Sequence, residues 1–410
     1  MKIGHCRFCG AELKNTFVDL GRSPLANSFL STEGIGRAEA FYPLHVFVCE
    51  NCLLVQLEEF ESAENIFSDY LYFSSFSESW LRHCNVYAGE MTKRYGLGAS
   101  SLVVEIASND GYLLQYFKER GVGVLGVEPA ANVAKVAEAK GIETVVEFFG
   151  TKAAQKLVTA GRRADLMAAN NVLAHVPDIN DFVAGFKILL KPTGVATFEF
   201  PHLLRLVSER QFDTIYHEHF SYLSLLVVEK IFNHHGLKVF DVEQLPTHGG
   251  SLRVFACPAE ADRVRSAHCE KVLSDERAAG LDKLATYGQF APLVIDIKCS
   301  LLEFLIETRR NGKAVVGYGA PAKGNTLLNY CGVGPELVSY TVDRSPHKQG
   351  RYLPGVQVPI HAPKHILKTK PDYVLILPWN LKDEVMEQMA DIRKWGGKFV
   401  VAIPSLEILP

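Results

Sequence analysis

The sequence predicts an α/β protein in three parts, a small metal-binding module followed by two domains built on parallel sheets. Two Cys-x-x-Cys pairs lie within the first 52 residues. From about residue 100, apolar strand segments alternate with amphipathic segments, and the same alternation starts again near residue 313 after a mainly helical stretch. Such alternation is typical of a parallel, doubly wound sheet covered by helices.

Composition and charge exclude some classes of function. The chain has 410 residues, of which 48% are hydrophobic and 22% are charged, as in folded globular proteins. Its formal net charge of -3 argues against general electrostatic binding of nucleic acid or of an anionic membrane. No apolar run reaches the roughly 18 residues of a membrane span, and the first residues lack the apolar segment of a secretion signal. We therefore expect a cytoplasmic protein with neither nucleic acid nor membrane as a partner.

The first part, residues 1–70, carries four of the nine cysteines. Cys6 and Cys9 form one pair, and Cys49 and Cys52 form the other, a spacing that suits one tetrahedral zinc ion. Because four thiolates leave no open coordination position, we expect a structural rather than a catalytic metal. The other five cysteines occur singly and are expected to be reduced thiols.

The second part, residues 71–260, carries acidic residues where predicted strands end. Glu105 lies near the end of the first strand and Glu128 closes the second. Both carboxylates are expected at the carboxyl edge of the sheet, where ligands bind, and Glu128 is placed to accept two hydrogen bonds from a ribose diol. The loop between them has only Gly111 of the Gly-x-Gly-x-x-Gly pattern, which suits a nucleoside without phosphates better than a dinucleotide. The alternative is that these acids cap helices or face solvent.

This loop, the acidic residue that ends the second strand and the segment 169–178 together resemble the S-adenosylmethionine (SAM) methyltransferase fold. The resemblance implies that SAM is the cofactor and that the middle domain binds it. The residues implied in SAM binding are Glu105, Ser108, Asn109, Asp110, Gly111, Tyr112, Glu128, Asn170 and Asn171.

A second candidate site is the run Tyr-His-Glu-His at 216–219. On an extended chain, alternation would place Tyr216 and Glu218 on one face and His217 and His219 on the other. Such a cluster suits proton abstraction, with an imidazole as the base and a phenol that steadies an oxyanion. The alternatives are a His-x-His metal site and a purely structural hydrogen-bonded cluster.

The third part, residues 261–410, carries a candidate phosphate-binding loop. Residues 317–325 match Gly-x-Gly-x-x-Ala between a predicted strand and a predicted helix, and Asp343 follows the next strand. This arrangement satisfies the dinucleotide fingerprint. Lys323 beside a helix N-terminus suits a diphosphate, whether in NAD or in a nucleotide sugar. Three further basic residues either add to this site or form a solvated loop, namely Arg344, Lys348 and Arg351.

Predicted secondary structure is consistent with this division. The predicted strands are 42–48, 101–106, 122–128, 164–169, 195–200, 313–317, 337–342, 373–377 and 398–403. One predicted helix begins at residue 112. The others span 130–140, much of 260–310, 321–330 and 382–394.

Several motifs follow one another along the chain, namely the two cysteine pairs, residues 72–77 (Tyr-Phe-Ser-Ser-Phe-Ser), 105–111, 216–219, 247–253 (Thr-His-Gly-Gly-Ser-Leu-Arg) and 317–325. With these motifs the whole chain resembles the nucleotide-sugar C-methyltransferases of antibiotic deoxysugar pathways, such as those that make C-3-methylated, 4-keto, dTDP-linked sugars. The resemblance implies a zinc module, a middle SAM domain and a C-terminal domain that holds much of the nucleotide sugar. It also implies that Tyr216, Glu218 and His219 take part in catalysis, with His219 as the base.

The sugar-binding residues expected on this basis include one departure from the family. Family members commonly carry Tyr where this chain has Phe76, so a hydroxyl that would assist proton transfer or hold the sugar is missing. His248 and Arg253 either contact the sugar or pin a turn. The full expected set is Phe76, His248, Arg253, Gly319, Lys323, Asn325, Asp343, Lys348 and Arg351.

The expected activity is SAM-dependent methylation of a carbon atom in a nucleotide-linked 4-keto-deoxysugar, with dTDP as the expected nucleotide. Base-catalysed formation of an enolate would precede methyl transfer. The alternatives are O- or N-methylation of a related sugar, an NAD-linked oxidoreductase that uses the 317–325 loop, and a non-catalytic zinc-ribbon interaction protein. The sequence leaves the oligomeric state open, and a monomer is compatible with it.

Overall fold

The computed structural model describes residues 4–62, 74–76 and 78–410, and they form two compact units. Unit 1 comprises Met1–Lys14, Cys49–His202 and Phe220–Lys283, and unit 2 comprises Asn15–Val48, Leu203–His219 and Leu284–Pro410. Each unit is therefore assembled from three separate stretches of chain. The division into 1–70, 71–260 and 261–410 stays a prediction, and each unit contains segments from more than one of these ranges.

The strands and helices are numbered in chain order. The strands are β1 (Asn15–Ser23), β2 (Tyr42–Val48), β3 (Val55–Leu57), β4 (Leu102–Ile106), β5 (Gly123–Val127), β6 (Thr144–Val145), β7 (Ala164–Asn170), β8 (Leu190–Pro201), β9 (Ser221–Tyr222), β10 (Leu237–Leu245), β11 (Ser251–Pro258), β12 (Val315–Tyr318), β13 (Thr341–Val342), β14 (Ile360–His361), β15 (Tyr373–Ile376), β16 (Lys398–Val401) and β17 (Glu407–Leu409). The α-helices are α1 (Glu78–Tyr95), α2 (Leu114–Glu119), α3 (Ala131–Ala139), α4 (Thr151–Thr159), α5 (Ile179–Leu189), α6 (Leu203–Ser208), α7 (Leu225–His234), α8 (Ala267–Ala278), α9 (Leu284–Tyr287), α10 (Phe290–Arg310), α11 (Ala322–Cys331), α12 (Lys364–Thr369) and α13 (Lys382–Gln388).

Unit 1 is built on a seven-stranded sheet with the order β10-β11-β8-β7-β4-β5-β6. β4 pairs in parallel with β5 and β7, whereas β11 is antiparallel to both of its neighbours. Helices cover both faces, so the central strands are almost entirely buried, which explains their continuous apolar runs. Strand order reverses beside β4, and in doubly wound sheets ligands bind at such a switch point, at the carboxyl ends of the strands.

Unit 2 is built on a second sheet, with the order β14-β13-β12-β15-β16-β17. All neighbours in it are parallel except β16 and β17. The unit also contains the antiparallel hairpin of β1 and β2. The fold class predicted from the sequence, two parallel α/β sheets with a four-cysteine module, is confirmed.

Element bounds differ from the predictions in several places. The strand predicted over 337–342 is reduced to β13, because the amides of Leu337 and Val338 both donate to the carbonyl of Gly334 and form a turn. The helix predicted over 382–394 ends at Gln388, and a 3-10 helix, Ala390–Trp395, follows it. The stretch 260–310 contains three helices, α8, α9 and α10.

Membrane-spanning helices are absent from the part of the chain that the structure describes, since no helix there is both long enough and apolar enough.

Candidate active site

The four predicted zinc ligands converge in unit 1. Their Sγ atoms all lie within 4.8 Å of one another, and the Cys6–Cys52 and Cys9–Cys49 sulfur pairs are 3.5 Å apart. Around a tetrahedral ion with Zn–S bonds of about 2.3 Å, thiolates lie roughly 3.8 Å apart. The donor set and its spacing therefore fit one zinc ion with no open position for substrate.

The two knuckles have the same local geometry. In each, the residue after the second cysteine has a left-handed backbone, Gly10 at φ 72° and Leu53 at φ 68°. Its amide donates to the carbonyl of the first cysteine, at 2.9 Å in both knuckles. This turn points both sulfurs of a pair to the same side.

The predicted SAM loop leaves β4 in a strained conformation. Ala107, Asn109 and Gly111 have φ values of 54°, 49° and 75°, in the left-handed region that costs most residues free energy. A Cβ on Gly111 would lie 2.4 Å from Cδ1 of Ile142, so the isoleucine side chain would have to shift to admit any other residue at this positive φ. Strain of this kind is concentrated at ligand sites in proteins.

Buried polar atoms without hydrogen-bond partners surround this loop. Among the described residues nothing pairs with Oγ of Ser108, with Oδ1 of Asp110, or with Oδ1 of Asn170 and Asn171, whereas the buried Glu105 carboxyl interacts with the hydroxyl of Tyr112. Burial also raises the pKa of the Glu105 carboxyl well above its ordinary value. Most of these atoms are acceptors, and SAM offers donors in its α-ammonium, ribose hydroxyls and adenine amino group. The residues present therefore fit SAM, as the sequence predicted.

Glu128 is at the predicted place, after β5, but its oxygens already have protein partners. One accepts from the amide of Asn109 at 2.9 Å and the other from the amide of Ala130 at 2.8 Å. Burial raises the pKa of Glu128, although these two bonds oppose the shift. Each oxygen keeps a second lone pair, and the ribose contact stays a prediction.

A buried carboxylate in β8 was missed by the sequence reasoning. Glu199 accepts hydrogen bonds from His83 at 3.0 Å, from Thr247 at 3.0 Å and from Arg253 at 3.1 Å. Burial raises the pKa of Glu199, but the hydrogen bond from His83 and the charge of Arg253 outweigh it and lower the pKa overall. The available signal was a lone acid near the end of an apolar strand, which is the signal that identified Glu105.

Arg253 and His248 were expected either to touch the sugar or to pin a turn. Arg253 is 3% exposed and also bonds Glu243, at 2.9 Å, so its contacts favour the turn-pinning role. His248 has a left-handed backbone with φ 56°, and Nδ2 of Asn171 donates to its Nε2 at 3.3 Å. His248 therefore lies beside a predicted SAM-binding residue. Contact of either residue with a sugar stays a prediction.

Unit 2 contains the Tyr-His-Glu-His run, and the run is not extended. A turn closed by the amide of His219 and the carbonyl of Tyr216, at 2.9 Å, brings these two residues together. Their ring centroids are 4.0 Å apart at an interplanar angle of 34°. The expectation of opposite faces for Tyr216 and His219 is therefore wrong, because alternation holds only for a chain that does not turn.

Hydrogen bonds distinguish the two histidines of the run. Nδ1 of His219 lies 2.8 Å from the carbonyl oxygen of Thr214. Because a carbonyl only accepts, Nδ1 carries the proton and Nε2 carries the lone pair of the neutral ring. His217 instead donates through Nε2 to the carbonyl of Pro43, and burial lowers its pKa.

The intervening Glu218 is buried and held by the hairpin of unit 2. Nδ2 of Asn27 donates to its Oε1 at 2.7 Å. Burial raises the pKa of Glu218, and the bond from Asn27 partly opposes this shift.

The segment that carries this run is anchored to the second sheet's helices and loops. Thr326 in α11 donates to the carbonyl of Ile215 at 2.9 Å, and the indole of Trp379 donates to Asp213 at 2.7 Å. Burial raises the pKa of Asp213 to about 6, although the charge of Lys323 and the Trp379 bond oppose it. Sequence reasoning missed Asp213 and Trp379 because 166 residues separate them.

Polar groups of the 317–325 loop form hydrogen bonds with the turn that follows β13. The two oxygens of Asp343 accept from the amides of Ala320 at 2.7 Å and Ser345 at 2.8 Å, and Lys348 donates to the carbonyl of Ala320. A Cβ on Gly319 would lie 2.6 Å from Cδ of Pro378. The glycine, acid and base of the fingerprint thus brace this turn.

The remaining predicted sugar contacts occupy different environments. Lys323 donates to Asn380 at 2.8 Å, and its ammonium lies 4.5 Å from the ring centroid of Trp379. Asn325 is 1% exposed, and its Nδ2 has no partner within the described ranges. Arg351 is half-buried, and Phe76 is 75% exposed. The motif residues Tyr72, Phe73 and Ser77 lie outside the described residues.

Comparison with known proteins identifies the family. Three family profiles match the chain: a putative zinc binding domain at 6–67, a methyltransferase domain at 81–242 and a C-methyltransferase C-terminal domain at 246–404. The C-methyltransferase NovU of Streptomyces niveus is 38% identical over 408 residues, 99% of this chain and 97% of that protein. A ubiquinone biosynthesis O-methyltransferase of Methylobacterium sp. (strain 4-46) is 31% identical over 98 residues, 24% of this chain and 39% of that protein.

Among solved structures, magnesium protoporphyrin IX methyltransferase from Synechocystis PCC 6803 with bound SAM is 14% identical. The alignment covers 45% of this chain and 79% of that one, with a TM-score of 0.33. The matches of the preceding paragraph confirm the predicted enzyme class, SAM as the cofactor and the four-cysteine zinc site. The chain belongs to the SAM-dependent C-methyltransferase family.

Proposed function

We propose that the methyl acceptor is a carbon atom beside the ketone of a nucleotide-linked 4-keto-deoxysugar, with dTDP as the nucleotide. The observation that carries the proposal is the paired Tyr216 and His219 rings, in which the Thr214 carbonyl fixes the His219 tautomer. Nε2 of His219 then has the lone pair that a general base needs. A phenol at van der Waals distance from that imidazole supplies the oxyanion partner.

The proposed reaction needs a base, a hydrogen-bond donor for the enolate and correct positioning of the sugar. A hydrogen beside a ketone is acidic because its conjugate base is an enolate. His219 removes this proton, Tyr216 donates a hydrogen bond to the enolate oxygen or relays the proton, and Glu218 orients the sugar or the histidine. SAM supplies an electrophilic methyl group with a neutral thioether as leaving group. The fixed donors and acceptors hold the reacting carbon in line, which lowers the entropic part of the barrier.

The nucleotide-binding part of the proposal rests on unit 2. Lys323 and Asn325 lie in the first turn of α11, where the helix dipole favours an anion. Lys323 donates to the side-chain amide of Asn380, lies over the indole of Trp379 and interacts electrostatically with Asp213. Nδ2 of Asn325 is a buried donor without a partner among the described residues. These donors suit a diphosphate.

The oxidoreductase alternative is disfavoured by the contacts of Asp343. In a dinucleotide site this acid would accept from a ribose hydroxyl. Here both of its oxygens accept from backbone amides of the same turn.

The test is solvent deuterium exchange into a panel of 4-keto nucleotide sugars, with and without SAM, followed by NMR of the products. His219→Ala should lose both exchange and methylation by at least about 100-fold, the range of general-base catalysis. His217→Ala is the matched control and should retain exchange, since His217 is bound to Pro43. Methylation by His219→Ala at the wild-type rate would contradict the assigned base, and methyl on oxygen or nitrogen would contradict the proposed reaction.

A further inference from the structure

The first zinc knuckle, Cys-Arg-Phe-Cys, carries a side chain that reaches far from the metal. The guanidinium of Arg7 donates to the carbonyls of Pro177, at 2.7 Å, and Leu57. It also lies 5.3 Å from the ring centroid of Phe220. All these groups belong to unit 1.

The backbone of the same knuckle is bound at three further points. Nδ2 of Asn180 donates to the carbonyls of Arg7 and Phe8, at 3.1 and 2.9 Å. The amide of Arg7 donates to Oε1 of Gln56, whose Nε2 donates to Sγ of Cys6 at 3.1 Å. The position of Arg7 is therefore set by the turn that holds the two sulfurs.

Arg7 donates to the last residue of the segment 170–177, and this segment begins at the cofactor site. It begins with Asn170 and Asn171, whose Oδ1 atoms are buried and lack partners in the described part of the chain. The amide of Asn171 donates to the carbonyl of Glu199 at 2.7 Å, which fixes one end. Pro177, held by Arg7, fixes the other end, just before Asp178 caps α5.

A purely packing role would not require a charged group here. Nε of Arg7 is shielded from solvent and has no partner among the described residues, so the guanidinium is partly desolvated. An apolar residue of similar volume would avoid this desolvation cost. The guanidinium instead joins carbonyls from two separate elements, Leu57 at the end of β3 and Pro177 before α5.

We propose that Arg7 is a positioning residue that couples the zinc site to the SAM site, so that occupancy of either strengthens binding at the other. Zinc orders the knuckle, the ordered knuckle holds Arg7, and Arg7 holds the 170–177 segment in its cofactor-binding form. Coupling between two sites is reciprocal, so SAM must strengthen zinc binding by the same factor. The proposal concerns unit 1 alone and is independent of the methyl acceptor.

The first measurement is the affinity for S-adenosylhomocysteine, by calorimetry, on the full chain with its zinc content determined. Arg7→Met should weaken binding by about 5- to 10-fold at unchanged zinc content, at the lower end of typical coupling. Arg7→Lys keeps the charge but lacks the planar guanidinium that reaches two carbonyls. Its affinity for S-adenosylhomocysteine should lie between those of the wild type and Arg7→Met. Arg163→Met is the matched control, because Arg163 also donates to two backbone carbonyls, of Ile188 and Leu190, but precedes β7 instead of following it.

The second measurement needs no variant, so it stands even if Arg7→Met does not fold. The zinc affinity of the wild-type chain is measured by competition with a chelator, with and without saturating S-adenosylhomocysteine. The ligand should raise zinc affinity by the same factor that Arg7→Met removes. The proposal would be overturned if S-adenosylhomocysteine left the zinc affinity of the wild type unchanged. It would also be overturned if Arg7→Met bound S-adenosylhomocysteine as tightly as the wild type does.

Discussion

The loop after β4 and the loop after β12 differ in whether their polar side chains already have hydrogen-bond partners, and the sequence does not reveal this difference. The loop after β12 matches a ligand-binding fingerprint more closely, yet its Asp343 and Lys348 are bonded to the turn itself. The loop after β4 keeps only one glycine of that pattern, yet Oγ of Ser108 and Oδ1 of Asp110 are buried and lack hydrogen-bond partners among the described residues. Fingerprint spacing thus reports the strand–turn–helix geometry, whereas unpaired buried atoms report where a ligand belongs.

The comparison is tested most strongly by the two glycines. Gly111→Ala and Gly319→Ala should each lower the free energy of unfolding by roughly 3–4 kcal/mol, because both have positive φ and both would place Cβ against a neighbour. Gly161→Ala is the control, since Gly161 has φ 77° but open space, and it should cost only about 1 kcal/mol. Denaturant unfolding measures all three.

Only one of these glycines should matter for the cofactor. On the folded protein at low temperature, Gly111→Ala should weaken S-adenosylhomocysteine binding, whereas Gly319→Ala should not. Equal loss in both variants would show that the two loops do not differ in the way described.

The second prediction concerns pH and unit 2. The pKa of Asp213 is about 6, above its ordinary 3.8, so the folded state holds this proton more tightly. Stability from this group is therefore present below pH 3.8 and is lost as pH rises to about 6. Asp213→Asn keeps an acceptor for Trp379 and has no carboxyl to titrate. Between about pH 3.5 and about pH 7, its free energy of unfolding should therefore rise by up to about 3 kcal/mol relative to that of the wild type.

Thermal unfolding over this pH range checks the prediction. Asp391→Asn is the control, because that carboxylate is 56% exposed and should leave the profile unchanged. A parallel pH profile for wild type and Asp213→Asn would contradict the assignment.

The smallest predicted effect separates the two acids. Glu105→Gln should weaken S-adenosylhomocysteine binding about tenfold, near 1.4 kcal/mol, because it replaces a carboxyl oxygen that can accept from the ligand by an amide nitrogen that cannot. Asp343→Asn should leave that affinity unchanged and lower stability by about 1 kcal/mol, since its partners are backbone amides. Calorimetry on both variants decides, and a tenfold loss in Asp343→Asn would reverse the two roles.

The predictable parts of the molecule are those whose information is local. The Cys-x-x-Cys spacing identified the zinc ligands, and strand ends placed Glu105 and Glu128 at the same edge of the sheet. The turn at 216–219 was not predictable, because polar and aromatic residues show no periodicity that distinguishes a turn from a strand. The partners of that segment were also hidden: Asn27 lies 191 residues before Glu218, and pairings at such separation leave no mark in a single sequence.

The interleaving of the two units limits how such enzymes can exchange specificity by recombination. A single crossover after Lys283 would transfer the whole second sheet but leave the hairpin and the 203–219 segment of the original parent. The contacts of Thr326 with Ile215 and of Trp379 with Asp213 would then join residues from different ancestors. Stability of unit 2 should therefore depend on inheriting these three pieces of chain together, and chimeras that move only the last piece should unfold at lower denaturant concentration than either parent.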